Sequence, residues 1–239
     1  MARLDTLARV RLLEDRSDVA YIVRFAGRDG AVDVEATWAE LARDTAWTAA
    51  RLSDLGIGRG DRVLLNGSGA EGPWLRPLMD ALGVLGATYG IAEAMGWDAN
   101  RTLVFARELD LHGAIGMPGE VVERLGDDTV LRELFGGTRV VLVRPDAAPL
   151  MRAAGISAGV ISFLGPALAI ECREMRGAHV NAAEWSVGES DGAIWVAPAA
   201  AAAGRCAGLG RTVLPVRGTV DAAPCACGCA DPRVIFETE

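Results

Sequence analysis

Apolar and polar positions alternate along the chain in two different rhythms. In TWAELARDTAWTAARLSDLGIGRGDRVLL, residues 37–65, Trp38, Leu41, Ala42, Ala49, Leu52 and Leu55 recur at helical spacing. Thr37 stands where an N-cap belongs, Gly56 where a helix stops, and Val63 to Leu65 form a short apolar run that predicts a strand. The same order then repeats. Helices are expected near 74–86, 98–109, 118–134 and 147–154, leading into GATYGIA, HGAIGMP, TRVVLVRP and AGVISF. Strands that alternate with helices of this length imply βαβ units and a mostly parallel sheet with flanking helices.

After Gly165 the helical rhythm stops. ALAIECRE, HVNAAEWSVGE, GAIWVAP, RTVLPVRGTVD and RVIFE are short strand-like runs separated by turn residues, with no convincing helix among them. The expectation is an α/β core over residues 1–165 and a small zinc-bearing β subdomain over 166–239. Between two of these runs lies APAAAAAGRCAGLGR, a low-complexity stretch expected to be a mobile loop.

Composition narrows the function. The chain has 239 residues, half of them apolar, and a formal net charge of −8, so no global field draws it to nucleic acid or anionic lipid. No run is long and apolar enough for a membrane helix, and the start, MARLDTLARVRLLEDRSD, is charged throughout; a cytoplasmic protein is expected. All 24 basic residues are arginines, so no step that needs a lysine ammonium can come from this chain.

Five cysteines are present. In a reducing compartment a cluster of them points to metal or chemistry before disulfides. Cys172 and His179 in ECREMRGAHV, with Cys225 and Cys227 in PCACG, offer three sulfurs and one imidazole, the closed tetrahedral set that structural zinc prefers. C-x-C is tighter than the usual finger spacing. Unlinked reduced thiols with His179 as a surface histidine are one alternative; a redox module on Cys225, Cys227 and Cys229 is another.

GPALAIECREMRGAHVN, followed by LPVRGTVDAAPCACGCADPRV, resembles the phenylacetate-CoA ligase branch of the AMP-forming acyl-CoA synthetase superfamily. The resemblance implies zinc on Cys172, His179, Cys225 and Cys227. It places Cys229 where the family has arginine, leaves Cys206 without a counterpart, and matches Asp221 to the aspartate that bonds the ribose hydroxyls of a nucleotide. It extends more weakly to residue 20, with TWAELARDTAWTAARLSDLGIGRGDRVLL similar to the helix after the family's phosphate loop and the strand beyond it.

Measured against that family, several parts are missing. RFAGRDGAVDVEATW stands where the hydroxyl-rich phosphate loop would be, without its Ser/Thr run or lysine, and AGVISFLGPALA lacks the acid that helps hold magnesium. The lid bearing the catalytic lysine is expected to be absent. The resemblance therefore implies a pared-down relative that binds a small aryl or acyl ligand or a CoA thioester, nucleotide binding being doubtful, beside a partner ligase or as a homo-oligomer. An enzyme acting on a thioester without ATP, or a divergent active ligase, is the alternative.

Overall fold

A computed structural model of the chain describes residues 18–202 and 204–237; the charged segment 1–17 lies outside them. The first elements are β1 (Val19–Gly27) and β2 (Gly30–Thr37), an antiparallel hairpin in register from Tyr21 with Ala36 to Gly27 with Gly30, with a register shift after Val19. Alternation drives it: Val23, Phe25, Val34 and Ala36 are buried on one face. The stretch that stands where the family has its phosphate loop, RFAGRDGAVDVEATW, is thus paired strand. Its valines and phenylalanine gain more from burial than its glycines gain from freedom.

Helix α1 (Trp38–Leu55) begins and ends at the residues its sequence nominates. Thr37 accepts from the Glu40 N–H at 3.2 Å while Glu40 accepts from the Thr37 N–H, a reciprocal capping box. Gly56 closes the helix at φ 100°, a left-handed conformation that glycine adopts without strain. β3 (Arg62–Asn66), α2 (Gly72–Leu85), β4 (Thr88–Ala92), α3 (Ala99–Glu108) and β5 (Gly113–Met117) follow. The helix expected over 118–134 is two, α4 (Gly119–Leu125) and α5 (Asp128–Phe135). Gly126 at φ 142° breaks the chain, a Cβ there would press on Val130, and Asp127 caps the second helix through the Thr129 and Val130 N–H groups. β6 (Val140–Val143), α6 (Ala148–Ala153) and β7 (Ala158–Leu164) complete the alternating part.

The remaining strands are β8 (Ala167–Glu171), β9 (Ala178–Val180), β10 (Trp185–Ser190), β11 (Ala193–Pro198), β12 (Thr212–Asp221) and β13 (Arg233–Phe236). They continue the same sheet. Among the described residues it has eleven strands in the order β10-β11-β12-β13-β9-β8-β7-β6-β5-β3-β4. From β4 to β7 the pairs are parallel, as expected of the α/β core, and from β7 to β10 they are antiparallel; the strands expected as a β subdomain extend the same sheet, which is mixed as a whole. The change of hand falls at Gly165-Pro166, a two-residue turn between the paired Leu164 and Ala167, with Gly165 at φ 56°. Parallel pairing needs a long crossover; two residues permit only a hairpin.

Alternation also sorts the core. Val140, Leu142 and Ile161 face α1 and α2, whereas Val141, Val143 and Val160 face α3 to α6, so the parallel strands are buried on both sides. The β1–β2 hairpin packs with the antiparallel half in a third cluster that includes Trp185, Ile194 and Leu214.

The alanine-rich stretch after β11, expected to be mobile, is pinned. The Arg205 side chain is 2% exposed and donates to Glu184 and to Asp44, each at 2.5 Å, while lying 4.2 Å from the Trp185 ring centre. The Cys206 N–H donates to Glu40 at 2.7 Å. One cation thereby ties α1, the start of β10 and this loop together. Truncation would strand Asp44 in a buried place and leave Glu184 with Arg43 alone, at 2.6 Å. Arg205→Ala is expected to lower unfolding free energy by about 3–5 kcal/mol, measured by urea denaturation followed by circular dichroism.

Candidate metal centre

Strand alternation, a turn and a loop bring the four sequence-nominated side chains to one place. Cys172 follows β8 directly, and His179 lies in β9, paired in register with Ile170. The turn between them needs Gly177 at φ 111°, because a Cβ there would meet the Val234 carbonyl at 3.0 Å. Cys225 and Cys227 sit in the loop joining β12 to β13. There the Gly228 N–H donates to the Cys225 carbonyl at 3.0 Å and Gly228 takes φ 86°, closing a tight turn that a residue with a side chain would strain.

The ligand atoms of Cys172, His179, Cys225 and Cys227 all lie within 4.8 Å of one another. Two sulfurs at zinc's usual bond length in a tetrahedron are about 3.8 Å apart, and a sulfur and an imidazole nitrogen about 3.6 Å. Cys172 Sγ and Cys225 Sγ are separated by 3.7 Å, and Cys227 Sγ and His179 Nε2 by 3.5 Å. The residues present therefore fit a tetrahedral divalent ion of zinc's size.

The surroundings suit the role. His179 is fully buried, and its Nδ1 lies 3.0 Å from the Asp231 carbonyl, which holds the ring proton on Nδ1 and leaves the Nε2 lone pair facing the sulfurs. Burial, with Arg51 nearby, lowers the pKa of His179 and keeps the imidazole neutral. Burial and the neighbouring sulfurs push the Cys172 thiol up to about 12. At Cys225 burial opposes ionisation, but the Cys227 N–H, the adjacent thiols and Arg233 outweigh it and hold that thiol below its ordinary value. Crowded thiols share protons in this way when only protein charges balance them. A divalent cation would supply the missing charge and displace the Cys172 proton.

The other nominated residues fall elsewhere. Cys229 lies beside the four; its N–H donates to Cys227 Sγ and its thiol to Asp231. Cys206 is buried in the Arg205 cluster, where burial pushes its thiol up to about 12. Asp221 is engaged through both oxygens, by Arg233 at 2.5 Å and by the Ala223 N–H at 2.8 Å. It borders a cleft of about 650 Å³ on the α6 side of the sheet.

Asp231 was not nominated by the sequence, yet it organises the site. Its carboxylate accepts from the Trp47 indole at 2.9 Å and from the Ala182 N–H at 3.1 Å while its carbonyl orients His179. The only signal was its place in the run CADPR, next to the cysteines.

Four protein ligands with no open position describe a structural ion. Purified protein is expected to hold about one zinc per chain by elemental analysis, and Cys225→Ser or Cys172→Ser to destabilise the antiparallel half strongly; well under half an equivalent, with a melting temperature indifferent to EDTA, would contradict this. Acid should compete with the ion. The Cys172 thiol, raised to about 12, is protonated in the metal-free protein throughout the neutral range, so binding releases at least one proton there. Zinc affinity, measured against a competing chelator, should then fall at least about tenfold for each unit that pH drops below 7.

No family model matches the chain, and no curated protein matches it in sequence. Solved structures do share its fold. A 2-hydroxyisobutyryl-CoA ligase in the postadenylation state, in complex with R3-HIB-AMP, superposes with a TM-score of 0.67 at 15% identity, over 91% of this chain and 51% of the ligase. MenE from E. coli does so with 0.55 at 12% identity, over 92% and 48%, and MatB from Rhodopseudomonas palustris with 0.54 at 14%, also over 92% and 48%. The chain spans about half the length of these proteins. At such identities the likeness is one of fold: this α/β chain is built like part of the AMP-forming acyl-CoA ligases, and it carries a Cys3His cluster able to hold a metal ion.

Proposed function

We propose that the protein is a zinc-stabilised relative of the phenylacetate-CoA ligase branch that binds a small aryl or acyl carboxylate, or a CoA thioester, without activating it through ATP, and serves a partner ligase or a second copy of itself. The observation that carries this reading lies at the carboxyl ends of the parallel strands, where open α/β sheets bind their ligands. Here that edge is occupied by the chain itself. Arg144, just beyond β6, lies 3.9 Å from the Phe163 ring centre, donates to the Gly116 carbonyl at 3.1 Å and pairs with Glu71 at 2.9 Å. Trp74 stacks on Phe163 with ring centres 5.1 Å apart and donates to the Gly165 carbonyl.

Chemistry supports the same reading. Adenylation has to neutralise charge developing on phosphate oxygens, usually with magnesium, a lysine and loop N–H and hydroxyl groups. This chain has no lysine, and the stretch aligned with the phosphate loop is hairpin β1–β2. Arginine's planar fork is no replacement for a compact ammonium. The 2-hydroxyisobutyryl-CoA ligase of like fold was solved with 2-HIB-AMP and CoA, which supports an acyl group as the ligand class.

The isolated protein should give no carboxylate-dependent ATP–pyrophosphate exchange with phenylacetate, benzoate or short acyl acids, because losing several charge-stabilising groups at about 10² to 10³ each leaves no measurable rate. Robust exchange would make it an active ligase. Hydrolysis of phenylacetyl-CoA without ATP would make it a thioester enzyme.

A further inference from the structure

The metal cluster and the 650 Å³ cleft occupy opposite sides of the same backbone. At every ligand, the residue that precedes it in sequence lines the cleft: Glu171 before Cys172, Ala178 before His179, Pro224 before Cys225 and Ala226 before Cys227. In β8 and β9 this follows from side chains alternating across an extended strand; in the 225–228 turn it follows from the tight reversal at Gly228. An ion that clamps the four ligands thus also sets four positions of the cleft wall.

The cleft has the chemistry of a binding site for an organic anion with an apolar body. Its size is in the range of small-molecule pockets. Val160, Val234 and Phe236 line it, and Met175 and Ile235 at its border are 37% and 44% exposed, large apolar groups left to water. Three arginines meet there against two carboxylates. Arg152 is spent partly on Glu171 at 3.2 Å, and Arg233 is 4% exposed, pairs with Asp221 and keeps a buried Nε with no hydrogen-bond partner. Arg176 is exposed and makes no ion pair among the described residues.

We infer that this cleft is where the protein takes its aryl or acyl anion, and that zinc and the anion reinforce each other's binding, because the metal-held segments 171–172, 178–179 and 224–227 form the cleft wall. The inference rests on the proposed function for the ligand's class and for zinc. Coupling of this kind is reciprocal and commonly amounts to about 5- to 150-fold in affinity.

The test uses the zinc-loaded full chain. Phenylacetate binding is measured by isothermal titration calorimetry, with phenylacetamide as the uncharged control, and zinc loss is timed with the chromogenic chelator 4-(2-pyridylazo)resorcinol. Phenylacetate, and not the amide, should bind and slow zinc loss at least about fivefold at saturation. Ala226→Trp, which fills the cleft and keeps all four ligands, should abolish both effects while one zinc per chain remains. Arg176→Glu, an exposed change that leaves the packing alone, should weaken phenylacetate at least about tenfold, and it decides the matter should the tryptophan variant fail to fold. The inference is overturned if phenylacetate does not bind at millimolar concentration, if it binds equally to the variants, or if bound phenylacetate leaves zinc loss unchanged. A protein purified without zinc, or one active in pyrophosphate exchange, overturns the proposed function instead.

Discussion

The two-residue turn at Gly165-Pro166 decides most of what this chain can build. From β3 to β7 successive strands are joined through helices, and the sheet grows in parallel with both faces covered. Once Leu164 and Ala167 are paired across that turn, β8 must run back along β7, and the strands beyond it pair antiparallel. Antiparallel neighbours place residues distant in sequence side by side: Ile170 faces His179, and Arg233 faces His179 from the other side. No cysteine or histidine would meet another here without that reversal.

Apolar packing and a few polar bonds then divide the labour of stability. The parallel half buries wide apolar surfaces, with Leu65, Leu82, Ile115 and Phe135 fully enclosed. The 222–232 loop has no such side chains; apart from Asp231 it is alanine, glycine, proline and cysteine, with Cys225 its buried sulfur. A segment so poor in apolar area keeps its shape through a few strong bonds, which the Cys3His cluster, Asp231 and Arg233 are placed to provide.

Helix α1 was legible to the residue because its signals are local: Thr37, Glu40 and Gly56 act within one turn of the positions they define. The Cys/His cluster was legible because sulfur and imidazole are rare in this chain and gather at those positions. Other features depend on partners far away. Nothing in APAAAAAGRCAGLGR shows that Arg205 will find Asp44 and Glu184, and nothing in RFAGRDGAVDVEATW outweighs its glycines until Val23, Phe25 and Val34 have a sheet to pack on. The break at Gly126 was visible as a glycine, but its force comes from Val130 crowding the position a Cβ would take. Of the cleft wall only Asp221 stood out in the sequence; the rest consists of ordinary residues between the conspicuous ones.

The Arg205 bond to Asp44 joins residues 161 apart in the chain. Closing so long a loop costs entropy before the contact returns anything, which favours forming this pair after the sheet has drawn the two ends together. Helix α1, with its reciprocal cap, requires no such wait. During synthesis Asp44 and Glu40 therefore cannot gain the Arg205 side chain and the Cys206 N–H until the chain has grown past residue 206, so the burial of those charges has to follow the making of β10 and β11.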